Sequence, residues 1–109
     1  MDKERNPKTH TVIIKVDNAG NITYQGKPMI LADPDDTVVW RCTNKSPFAI
    51  HFVGGRTPMQ PSYQSDGNTP IQDTIPTGAE PDAYTYMVAV FFDGKILTDD
   101  PPFIVKPPS

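Results

Sequence analysis

The side chains able to do chemistry are few and scattered. The chain of 109 residues holds one cysteine, Cys42, two histidines, His10 and His51, and four methionines. Thiolate, imidazole and thioether are the soft donors that hold copper, so Cys42, His51, Met59 and Met87 form the one donor set to weigh. Strand phase speaks against their convergence. Cys42 shares an apolar phase with Val38 and Trp40, which points it inward. In the next strand Phe48, Ile50 and Phe52 take the apolar phase and leave His51 on the wetter face. A lone buried cysteine is ordinarily inert. It also excludes an intramolecular disulfide and any Cys-based zinc site. His10 falls in a polar N-terminal arm, and the methionines, unclustered, read as gap-fillers.

Other chemistries find less support. Asp33, Asp35 and Asp36 lack the twelve-residue calcium loop and its closing glutamate, and read as a turn before a strand. Asp99-Asp100-Pro101-Pro102 reads as a polar loop stiffened by proline. Ser62 and Ser65 have no nucleophile-elbow context. Gly54-Gly55 is followed by Arg56 and no helix signal, so no phosphate loop is present. Asn21-Ile22-Thr23 and Asn44-Lys45-Ser46 match glycosylation acceptors, which matter only on secretion. No enzyme is expected.

Composition narrows the class further. Ten basic against thirteen acidic residues give a net charge of −3, which argues against nucleic acid as a partner. No apolar run approaches the ~20 residues of a membrane span. The N-terminal MDKERNPKTH lacks the apolar core of a signal peptide. The absent disulfide leans toward the cytoplasm; a periplasmic or secreted location follows instead if a signal peptide has been trimmed. Thirteen prolines are more than twice the usual ~5%, which disfavours a helical bundle because proline interrupts helices.

The elements that must position these residues are short strands. Runs rich in β-branched and aromatic residues occupy 11–16, 22–25, 29–31, 37–43, 48–53, 71–75, 83–92 and 102–106. Residues 54–70 hold three prolines and three glycines and read as one long irregular segment. Asp93-Gly94 is a strong turn dipeptide. The expectation is an all-β, Greek-key β-sandwich of about seven to eight strands. It has a flexible arm at 1–10, one domain at 11–106 and a Pro-rich tail at 107–109.

Four segments in this order carry a family resemblance. Asp36-Thr37-Val38-Val39-Trp40, Asn44-Lys45-Ser46-Pro47-Phe48, Tyr84-Thr85-Tyr86 and a closing Phe103-Ile104-Val105 together resemble the cupredoxins, the plastocyanin- and azurin-type copper sandwiches. The likeness spans roughly residues 11–106. It implies a histidine at Phe48, a cysteine at Val88 and a second histidine at Phe91. All three are hydrocarbon, and no His or Met follows Val88. A blue copper centre needs a thiolate and two imidazoles. The resemblance therefore implies the architecture without its cofactor.

Two readings of the replaced site stay open. The rings plug a former metal cavity, since cores demand dense filling, or they form an aromatic docking patch for a protein partner. The candidate patch is Pro47, Phe48, Val88, Phe91 and Met59, the last from the long loop. The resulting expectation is a non-catalytic, metal-free binding module with no cofactor and no nucleic-acid or membrane partner. The alternative is a copper electron-transfer protein that uses His51, Cys42, Met59 and Met87.

Overall fold

A computed structural model describes residues 6–107. All regular structure among them is β, in ten strands: β1 (Thr9–Val16), β2 (Ile22–Gln25), β3 (Ile30–Ala32), β4 (Thr37–Cys42), β5 (Phe48–Phe52), β6 (Ser62–Ser65), β7 (Ile71–Thr74), β8 (Asp82–Phe92), β9 (Lys95–Asp99) and β10 (Pro102–Val105). Two sheets stack face to face. One has the order β2-β1-β4-β7, with β1 and β4 parallel. The other runs β3-β10-β8-β5-β6, with β9 also on β8.

Alternation along the strands builds the core. Val12, Ile14 and Val16 face Ile50, Phe52, Tyr86, Val88 and Val90 across the sandwich, and all are buried. At the centre Trp40 meets Tyr86 edge-on at 5.5 Å between ring centroids, and Phe52 meets Phe103 edge-on at 5.2 Å. Both are favoured aromatic geometries. The Tyr86 hydroxyl donates to Pro28 O at 2.5 Å. The indole N–H of Trp40, close to that hydroxyl, is buried without a hydrogen-bond partner.

β9 and β10 share one edge of β8. β10 pairs with residues 82–85 of β8 and β9 with residues 88–92. Asp100-Pro101 interrupts them, and there Pro101 O accepts the Tyr86 N–H at 3.1 Å. The closing strand is thus broken in two where proline cannot donate to the ladder.

Three features differ from expectation. The first strand begins at Thr9, because Thr9 and His10 pair with Thr37 and Val38 of β4. The reason lies in Asp36. Its buried carboxylate accepts the Lys8 N–H at 3.0 Å and the Asp33 N–H at 3.0 Å, and lies 2.8 Å from His10 Nε2. Residues 1–5 of the expected arm and 108–109 of the expected tail lie outside the described residues. The other two differences are β6 and β9. Ser-Tyr-Gln-Ser is polar and Lys-Ile-Leu-Thr-Asp has adjacent apolar residues, so neither shows the alternation that marks a strand. Pairing with β5 and β8 makes them strands.

Candidate functional site

The loop before β5 is pinned from both sides. Asn44 Oδ1 accepts the Val16 N–H at 2.7 Å, and Lys45, in the left-handed region at φ 57°, donates its N–H to Cys42 O. Gly67 closes the far side at φ 99°, where a Cβ would overlap the Lys45 carbonyl oxygen. Only glycine fits both the backbone and the contact. Pro47 then delivers its carbonyl to the Phe91 N–H at 2.9 Å, which ties the loop to β8.

From that anchor the side chains diverge. Phe48 points into the sandwich and is 4% exposed, and Val88, beside Ile50, is fully buried. Phe91 is three residues from Val88 on an unbroken strand, so it takes the opposite face and is 52% exposed. Its cross-strand neighbour on β9 is Ile96, 70% exposed. Together with Pro47, Ala49, Ala89 and Gln64 they line a shallow hollow of about 220 Å³ on the outer face of the larger sheet. Ile96 escaped the sequence reading. Its signal was the Asp93-Gly94 turn, which folds 95–99 back onto β8.

Met59 lies elsewhere. The chain re-enters β6 beside Phe52, whose N–H donates to Pro61 O, so Met59 sits by the end of β5 opposite Phe48. There Thr57 Oγ1 accepts the Met59 N–H at 3.2 Å. Tyr63 closes the turn by accepting the Gln60 N–H at 3.1 Å and donating to Asp73 Oδ2 at 2.5 Å. Burial and the Asp73 carboxylate push the Tyr63 phenol above its ordinary range. Of the five candidate residues, Pro47 and Phe91 meet at the outer face, Phe48 and Val88 lie beneath them in the core, and Met59 stands at the other end of β5.

The alternative donor set does not assemble either. Cys42 points inward from β4, in the smaller sheet. His51 and Met87 are cross-strand neighbours on the outer face of the larger sheet, where the Ser62 hydroxyl lies 2.6 Å from His51 Nδ1. Among the described residues no three His, Cys, Asp or Glu side chains converge on a point that could hold a metal.

No family model matches the chain, and no curated protein does. A solved pseudoazurin from Sinorhizobium meliltoi superposes with a TM-score of 0.54 at 17% identity, covering 94% of this chain and 76% of that one. The fold is cupredoxin-like. In this cupredoxin-like sandwich the two positions three apart on β8 face opposite sides of one sheet, and the third position lies in the core. None of the three positions, Phe48, Val88 and Phe91, carries a thiolate or an imidazole.

Proposed function

We propose that the chain is a non-catalytic, metal-free cupredoxin-like binding module that engages a protein partner through the outer face around Phe91. One observation carries this: Phe91 and Ile96, both large and apolar, lie side by side and exposed over a shallow hollow. Interface centres are poor in charge and rich in aromatic side chains, as this face is around Phe91. The donor geometry supports the metal-free half of the reading, since hydrocarbon occupies all three positions where a blue-copper set belongs.

A photo-reactive phenylalanine analogue at position 91 tests the partner. A discrete adduct with another protein from position 91, absent from the same analogue at Arg41, supports the module. No adduct from 91, or the same adduct from 41, removes it. Titration with Cu(II) tests the cofactor: a stoichiometric, intensely coloured thiolate complex would sink the metal-free reading.

A further inference from the structure

The β9 strand leaves a usable backbone edge. The Asp93-Gly94 turn has both residues at positive φ, 54° and 73°, the two-residue hairpin turn whose flanking pair is hydrogen-bonded. Bonds in an antiparallel ladder alternate from that pair, so Lys95, Leu97 and Asp99 bond β8 while the N–H and C=O of Ile96 and Thr98 point away. The Phe91 N–H confirms the phase, because it turns from Ile96 to reach Pro47 O. Among the described residues no strand other than β8 pairs with β9.

This edge is less protected than the others. β2 has four residues and stops at Gly26, ahead of Pro28; β3 has three, between Pro28 and Pro34; β7 has four, between Pro70 and Pro76; β6 has four, directly after Pro61. Shortness and flanking proline are the usual defences of an edge strand. β9 is longer, with five residues, has proline on its C-terminal side alone, at Pro101, and carries the most exposed large apolar side chain of the described residues.

Its side chains are complementary to their own reverse. Laid antiparallel against itself about Leu97, β9 sets Ile96 opposite Thr98 and Lys95 opposite Asp99, each twice. The free backbone groups of Ile96 and Thr98 then meet in two hydrogen-bonded pairs, and both ends carry opposite charges on one face. We propose that two copies of this chain pair edge to edge through β9, antiparallel about Leu97, as a two-fold symmetric dimer that joins their larger sheets. The contact is the backbone edge, not the apolar face around Phe91, so either proposal stands without the other.

The test is sedimentation of the full chain from low micromolar to near-millimolar concentration, with amide exchange read residue by residue. A dimer whose Ile96 and Thr98 amides become protected as concentration rises is the expected result. Thr98→Pro removes one of those donors without touching the β8 ladder and yields a monomer. Lys95→Glu, at an exposed site, weakens association roughly tenfold through two lost attractions and two new repulsions. Adding Asp99→Lys restores the charge pairing and with it the association, while giving up the hydrogen bond that Asp99 Oδ2 accepts from the Tyr24 hydroxyl within one chain. A chain that stays monomeric throughout overturns the proposal. So does a dimer that survives Thr98→Pro with unprotected Ile96 and Thr98 amides, whether its contact is the Phe91 face, abolished by Phe91→Ser, or another surface.

Discussion

Phe48 and Phe91 stand at the same end of two neighbouring strands and face opposite ways, one sealed in the core and the other half in solvent. The Pro47 carbonyl bonded to the Phe91 N–H sets Phe48 one residue out of step with Phe91. One step along a strand turns a side chain to the other face. The cavity-plug reading therefore describes Phe48, and the exposed-patch reading describes Phe91.

Truncating these two rings should have unequal consequences. Phe48→Ala removes a buried ring and lowers stability by about 3–5 kcal/mol. Phe91→Ser leaves stability within about 0.5 kcal/mol. Urea titrations followed by circular dichroism measure both, and comparable losses would place Phe91 in the core.

Trp40 lies at the aromatic centre and should dominate stability. Trp40→Ala is expected to cost about 3–5 kcal/mol. Trp40→Phe should cost distinctly less, because it also deletes the buried indole N–H that has no partner, a group whose burial costs about 1–3 kcal/mol. Chemical denaturation of the two variants side by side is the measurement.

Gly67 and Gly55 separate strain from overlap. Both have positive φ, but only at Gly67 would a Cβ meet backbone atoms; at Gly55 it meets open space. Gly55→Ala should cost about 1 kcal/mol for the backbone alone. Gly67→Ala should cost about 1–3 kcal/mol more and should loosen the 43–47 loop, read as faster exchange of the Lys45 and Phe91 amides.

Alkaline pH should unfold the protein through its tyrosines. Burial, first of all, pushes the phenols of Tyr24, Tyr63 and Tyr86 above the ordinary tyrosine range, with Asp99 and Asp73 adding to it at Tyr24 and Tyr63. A raised folded-state pKa means the folded chain holds protons that the unfolded chain releases. Stability is thus intact below about pH 10, the unfolded value, and falls as pH rises above it. Each phenol contributes up to about 1.4 kcal/mol per pH unit, less at Tyr24 and Tyr63, which solvent partly screens. Urea midpoints from pH 8 upward, with tyrosinate absorbance, follow the loss; a flat profile to pH 12 would contradict it.

The inward phases were legible in the residues themselves. Trp40 and Cys42, and Ile50 and Phe52, lie where alternation placed them, because a strand's side-chain period is local and set by its own backbone. The hydrocarbon at Phe48, Val88 and Phe91 was likewise plain before any coordinates. Tertiary structure decided the rest. Polar β6 and unalternating β9 are strands only because β5 and β8 hold them. His10 joins β1 through a carboxylate 26 residues away, and Met59 leaves the patch because β6 returns beside Phe52. Pairing between distant segments chooses neighbours, and alternation within one segment carries no record of which strand will lie beside it.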